Sequence, residues 1–255
     1  MKLDPELIEE ILRMQRAYES QKGVRGALGA GEPVVRILGK AVPEGLVKDG
    51  LARADEMAAR TAPAWLSDHD TGDFDACQSA ASRVRRQAVV GASASGVVSG
   101  LTGVVGLSAD MAVSFAVAAR TIRLTAMAYG YGGDDPFDRA LRAHALDLAV
   151  QGAGSARSDK ARMIREMLNG RTGAATVPVA TAVIEDVALR AGRLLLQRFG
   201  GTAAARVVPL ASSVVGGVVN WRLQTATAAA ADYTYRQRWL ADRLTLPMPE
   251  PEDAR

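Results

Sequence analysis

Residues 87–109 read QAVVGASASGVVSGLTGVVGLSA, an uncharged run of small and β-branched side chains. Arg83, Arg85 and Arg86 lead into it and Asp110 ends it. Ala88, Ala92, Gly96 and Gly100 fall four apart, which on a helix makes an inclined ridge where a second backbone can approach closely. Gly103 and Gly106 predict a tight turn. Ser108 is then the expected N-cap of a helix over Ala109–Ala128, with Asp110 in its first turn, where the helix dipole favours a carboxylate. The run is thus a helical hairpin, either buried at the centre of a bundle or meeting a membrane.

A second run mirrors it. Val207–Trp221, VVPLASSVVGGVVNW, is again uncharged and centred on Gly216-Gly217. It continues through Arg222 into an alanine-rich helix that ends near Trp239. Ser212, Gly216, Asn220, Gln224 and Ala228 form its small-and-polar ridge. Buried amides require hydrogen-bond partners, so Asn220 and Gln224 are expected to face the first hairpin. The fold class follows: an all-α, multi-helix bundle built around two glycine-rich apolar helical segments packed together.

Composition agrees. Of 255 residues, 48% are hydrophobic but only 5% aromatic, so Ala, Val and Leu carry the apolar weight and closely packed helices are favoured over sheet. The net charge of +3 hides an acidic N-terminal third and a basic remainder. A basic body suits anionic head groups or nucleic acid, although solvated helix faces account for it more simply. A single cysteine, Cys77, excludes an internal disulfide and any cysteine-cluster metal site. The N-terminus is acidic and amphipathic rather than a basic start before an apolar run, so no signal peptide is expected and the chain is placed in the cytoplasm.

Along the chain, Asp4-Pro5 reads as a capped helix start with Leu7, Ile8, Ile11, Leu12, Met14 and Tyr18 at helical spacing, running to about Gln21. Residues 23–43 are glycine-punctuated, with a helical turn at Val34–Leu38. Pro43 opens a second helix and Pro63 closes it. The acidic loop Asp68–Asp75 is out of register for a calcium loop, since Ser79 stands where the bidentate glutamate belongs. Asp73 or Asp75 is instead expected to cap the next helix. Tyr129-Gly-Tyr-Gly-Gly133 ends the helix before Asp135-Pro136, which starts another, with Asp138 at its third position. His144 lies there on the face of Leu141, Ala145 and Leu148, as a hydrogen-bonded core histidine. A short basic helix over Ser158–Leu168 carries Lys160, Arg162 and Arg165, with Arg157 just before it, and Asn169-Gly170 ends it. Gly173–Pro178 reads as a linker and Val179–Phe199 as a further helix. The expected domains are 1–75, amphipathic helices docking on the body; 76–246, the helical body; and 247–255, a disordered tail.

Gly100–Asp110, the arginine-bearing helix after it, and Tyr129-Gly130-Tyr131 resemble the signature of the EcsC family. Val215-Gly-Gly-Val-Val-Asn220, followed by an alanine-rich helix reaching Tyr235-Arg236, resembles that family's second block. The likeness spans about Ala80 to Leu240. It makes Ala92, Gly96, Gly100, Gly103, Gly106, Asp110, Tyr129, Gly130, Gly216, Gly217, Asn220, Tyr235 and Arg236 the helix-packing and signature residues. The resemblance implies a bacterial helical protein, peripheral to the membrane and encoded near transport functions, with no agreed enzymatic activity.

The functional expectation is a non-enzymatic protein held at the inner face of the cell membrane, binding lipid or another apolar ligand. Arg83, Arg85, Arg86, Arg157, Lys160, Arg162 and Arg165 would meet the head groups. The alternatives are a soluble helical scaffold for a transporter or other protein, insertion of the glycine-rich run as a span, and an enzyme using Asp110. Catalysis has little to stand on: His69 and His144 lack a nucleophile elbow, Cys77 lacks a protease context, and GLTGVVG lacks the Lys-Ser/Thr of a phosphate loop. No cofactor, metal or nucleic acid is expected.

Overall fold

The computed structural model describes residues 3–20, 53–99, 103–150, 155–172 and 209–244, with side chains described outside 91–99, 103–115, 155–156, 171–172 and 209–220. Among these residues the regular structure is entirely helical, and the fold is the all-α bundle that the sequence predicts. The expected turn at Val34–Leu38, the linker at Gly173–Pro178, the helix over Val179–Phe199, the tail from residue 247, and Gly100 all lie outside the described residues.

Helix α1 spans Pro5–Glu19. Asp4 caps it, its carboxylate accepting from the Glu6 amide at 3.0 Å, and proline occupies the first position, where no amide is needed. Residues 53–60 form α2, followed by a 3₁₀ turn at Ala64–Leu66 beyond Pro63. Helix α3 runs Phe74–Ser99. Asp73 starts it, accepting from the Asp75 amide at 2.9 Å through its side chain and from the Cys77 amide at 3.1 Å through its carbonyl. Helices α4 (Gly103–Ala128), α5 (Pro136–Val150) and α6 (Ser155–Thr172) follow, and α7 spans Pro209–Ala241.

Two expected boundaries are corrected. Helix α4 starts by Gly103, not at Ala109, so Gly103 and Gly106 are helical and Asp110 lies in the third turn, beyond the reach of the helix-start field. A glycine inside a helix costs only about 1 kcal/mol against alanine, and the apolar residues between these two favour continuing the helix over a turn. Helix α6 likewise runs through Asn169-Gly170 to Thr172.

The helix stop at Tyr129-Gly-Tyr is as expected, and its geometry is specific. The Gly130 amide donates to the Met127 carbonyl at 2.9 Å and the Tyr131 amide to the Ala126 carbonyl at 2.8 Å, with Gly130 at φ +86°. This is a Schellman closure, and its left-handed position favours glycine. A Cβ on Gly130 would also sit 3.1 Å from Cβ of Thr71.

Helix α7 is the axis of the bundle. It packs most extensively on α3, then on α4 and α5, and also meets α6 and α1. Between Tyr233 and Ala241 every residue is buried, as expected for a helix surrounded by others. The register is pinned at its C-terminal end. Phe74 of α3 meets Trp239 with ring centroids 5.2 Å apart, and the Trp239 indole donates to the Thr71 carbonyl at 3.0 Å. Gln78 of α3 and Arg236 of α7 both reach Sδ of Met14 on α1. The α3 and α7 chains therefore run antiparallel. Tyr129, at the end of α4, donates to Asp232, and Tyr131 stacks on Tyr235, so α4 and α7 run parallel. With a rise of about 1.5 Å per residue, the glycine-rich end of α3, the start of α4 and the start of α7 all lie toward the same end of the bundle. The described parts of the two uncharged runs thus lie toward the same end of the bundle, although the side chains of Ala92, Gly96, Gly103, Gly106, Asp110, Gly216, Gly217 and Asn220 are outside the described set. Gln224, on the second ridge, is fully buried.

Candidate functional site

The seven basic residues expected at head groups divide into two sets. Arg83, Arg85 and Arg86 are exposed on α3; the Arg83 guanidinium lies 4.4 Å over the Trp65 ring. On α6 the expectation is corrected: Arg157, Lys160 and Arg165 are buried. Arg157 stacks on Tyr18 at 4.4 Å. Lys160 is paired with the fully buried carboxylate of Asp147 at 2.6 Å. Arg165 binds Glu19 and donates to the Tyr233 hydroxyl at 3.0 Å, fastening α1 to the body. Only Arg162 is exposed, and it is shared between Asp159 and Glu166. Three of its four described cations thus face the interior, Lys160 and Arg165 against carboxylates and Arg157 against a ring.

Three large apolar side chains are conspicuously exposed among the described residues: Val90 at 70%, Met57 at 63% and Trp221 at 44%. The register places them near one level along the bundle axis. Counting from the Phe74–Trp239 contact, Val90 stands level with Leu223, less than a turn from Trp221 along α7. Arg120 of α4 lies at the same level and donates to the Thr61 carbonyl at 3.0 Å, one turn of chain from Met57. Arg85, Arg86 and Arg222 are exposed around this level. The result is a collar of arginines, one tryptophan and two aliphatic side chains, set where the uncharged ends of α3 and α7 begin.

The signature residues Tyr129, Tyr235 and Arg236 lie farther along the axis, toward the C-terminal end of α7, within an internal polar network. Tyr129 donates to Asp232 at 2.7 Å, and Arg236 pairs with the same carboxylate at 3.5 Å. Arg123 bridges Asp134 at 2.5 Å and Asp55 at 3.1 Å and donates to the Gly132 carbonyl at 2.6 Å. Arg142 meets Asp55 at 3.0 Å and the Gly133 carbonyl at 2.8 Å. Arg238 pairs with Asp138 and lies 4.0 Å over Tyr131. Asp135 caps α5 as expected, accepting from the Asp138 amide at 3.0 Å, but the Asp138 side chain is committed to Arg238. Burial first, and the Asp232 carboxylate next, push the Tyr129 hydroxyl far up; burial raises Tyr235 as well, whose oxygen has no hydrogen-bond partner among the described residues. Burial outweighs both arginines at Asp55 and raises its pKa, whereas the hydrogen bond from Arg123 lowers that of Asp134. These tyrosines stay protonated, and the network locks α2, α4, α5 and α7 together. Sequence reasoning missed the pairs Arg123–Asp134 and Arg238–Asp138. The available signal was charge on the inward side of apolar helices.

The sequence model of the EcsC protein family matches residues 7–240. The chain belongs to the EcsC protein family. No curated protein and no solved structure matches it. The family match begins well before the resemblance visible from about Ala80 and takes in α1, whose Tyr18 stacks on Tyr233 of α7 with centroids 4.6 Å apart.

In this EcsC chain the residues considered for catalysis are scattered. Asp110 and Tyr129 lie about 28 Å apart along the axis of α4, too far to share a reacting centre. The two Nε2 and Sγ candidates near the acidic loop are structurally engaged. His69 Nε2 contacts the Ala128 carbonyl at 2.7 Å, and burial pushes the Cys77 thiol up to about 11. His144 is buried on α5. In the acidic loop Asp70 accepts from the Gly72 amide at 2.8 Å, while Asp73 caps α3.

Proposed function

We propose that this protein is a non-enzymatic peripheral membrane protein that binds the anionic surface of the cytoplasmic leaflet. The observation that carries the reading is the collar: Arg85, Arg86 and Arg222 are exposed within about 10 Å, along the bundle axis, of the level of Val90 and Trp221. Tryptophan and arginine share a preference for the head-group region, where an apolar body meets a polar tip. Each arginine near an anionic surface contributes about 1 kcal/mol, so the three together account for roughly a 100-fold gain in affinity. Among the described residues no helix is long and apolar enough to cross a membrane, which agrees with attachment rather than spanning. The basic helix α6 takes no part, since Arg157, Lys160 and Arg165 are buried and exposed Arg162 is paired with Asp159 and Glu166.

The test is co-sedimentation with vesicles. The full chain is expected to pellet with phosphatidylserine-containing vesicles at low salt, poorly with neutral ones, and progressively less as salt shortens the Debye length below about 10 Å. The combined Arg85→Gln, Arg86→Gln and Arg222→Gln variant should lose roughly 100-fold in affinity without a change in melting temperature. Equal pelleting with neutral and anionic vesicles, or none at low salt, would refute the proposal.

A further inference from the structure

We infer that the body holds a small oxyanion, a carboxylate or a phosphate group, beneath the turn Met14–Tyr18 of α1, with Arg157 as its counter-charge. The site lies where α1, α6 and α7 meet, away from the collar, and does not depend on attachment to a membrane. Charge balance sets Arg157 apart. Seven cationic side chains are buried among the described residues. Six of them pair with carboxylates: Arg123, Arg142, Lys160, Arg165, Arg236 and Arg238. Arg157, 8% exposed, has no carboxylate among those residues and lies 4.4 Å over the Tyr18 ring instead. A ring face offsets part of the cost of taking a guanidinium out of water, but it leaves the charge uncompensated.

Unsatisfied polar atoms gather at the same turn. Arg236 reaches Sδ of Met14, one turn of α1 from Tyr18, so two guanidiniums flank that turn. Within it, both ends of the Gln15 amide and the Tyr18 hydroxyl are buried with no hydrogen-bond partner among the described residues, and so are the Nε atoms of Arg157 and Arg236. All four side chains are more than nine-tenths buried. Tyr18 is held by its stack on Tyr233, and burial raises its pKa despite the adjacent Arg157 charge, so the hydroxyl remains a donor. Buried polar groups ordinarily find partners. Water would satisfy the amide and the phenol but leave the charge. With Arg236 and Asp232 cancelling, one positive charge is in surplus, which selects a singly charged anion and disfavours a metal or an amine. Guanidinium, phenol and amide donors together match the oxygens of a carboxylate or phosphate.

Thermal unfolding of the full chain, at fixed pH and ionic strength, tests the site. Sodium chloride is replaced stepwise by inorganic phosphate, by acetate, or by dihexanoyl phosphatidic acid below its micelle concentration. A ligand that binds only the folded state raises the melting temperature with its concentration. At least one of the three oxyanions is expected to do so relative to chloride. Acetate against phosphate identifies the acid group, and phosphatidic acid against inorganic phosphate tells a lipid head group from a free ion. Arg157→Met should abolish the response. Tyr18→Phe keeps both ring contacts and should weaken binding about tenfold, the loss of one hydrogen bond to a charged group, and it still tests the site if Arg157→Met fails to fold. No rise above chloride with any of the three would overturn the assignment. An equal rise in the parent and in Tyr18→Phe and Arg157→Met would also overturn it, as a general salt effect.

Discussion

Replacing Arg238 by methionine tests the account of the interior. Its guanidinium is bonded to Asp138 at 2.5 Å, both side chains are only 4% exposed, and the Tyr131 and Phe137 rings lie at 4.0 and 5.4 Å. Methionine fills much of the volume but leaves the Asp138 carboxylate without its cation. Breaking a buried pair from one side costs about 3–5 kcal/mol, and the lost ring contacts bring the total to roughly 4–6. Against a net stability of about 5–15 kcal/mol this is a large fraction. At roughly 2–4 °C per kcal/mol, the melting temperature should fall by about 10–20 °C. The partner experiment is decisive. Arg238→Met combined with Asp138→Asn removes both charges, and the double variant should recover at least 2 kcal/mol relative to the sum of the singles. Urea unfolding followed by circular dichroism measures all four corners of the cycle. An Arg238→Met loss under 1 kcal/mol, or simple additivity of the two changes, would show that the pair is not the tie described.

Gly130→Ala should destabilise by about 1–3 kcal/mol, since alanine resists φ +86° and its Cβ would press on Thr71; a denaturation midpoint equal to the parent's contradicts the Schellman closure. Alkylation of Cys77 at pH 8 in the folded protein should be at least two orders of magnitude slower than for a free thiol and rise to the free rate in denaturant, because a pKa near 11 leaves little thiolate. Asp134, whose pKa is lowered by Arg123, stabilises the fold above the ordinary carboxylate range, and that contribution is lost as pH falls through the lowered value. Asp134→Asn should therefore reduce the acid sensitivity of the melting temperature below about pH 4. Asp55 has the opposite sign: its raised pKa means that protonation on moderate acidification favours the folded state, and Asp55→Asn should remove this gain from the melting curve just above the usual carboxylate range.

Local chemistry was readable wherever it decided local structure. Asp4-Pro5, Asp73 and Asp135-Pro136 announce helix starts because a capping oxygen or a proline acts within a few residues, and Gly130 announces a stop because only its own φ is at issue. The glycines at 103 and 106 misled for the same reason: local propensity suggests a turn, but a penalty of about 1 kcal/mol per glycine is readily absorbed by a packed helix. The roles of Arg157, Lys160 and Arg165 were not legible at all. A basic helix looks like a solvated face until Glu19 and Asp147 are brought beside it, and Glu19 is far away in sequence. The same distance hid Arg238–Asp138. For the candidate site, the uncharged runs and Arg83, Arg85 and Arg86 were visible, but their convergence with Val90 and Trp221 needed the register of α3, α4 and α7.

Hydrogen exchange of the intact protein on phosphatidylserine vesicles tests the central claim most directly. Vesicles are expected to slow exchange in peptides covering residues 87–99, 103–117 and 209–222, at the end bounded by the collar, and to leave α5 and α6 unchanged. Protection confined to α6, or no vesicle-dependent protection anywhere, would contradict the account.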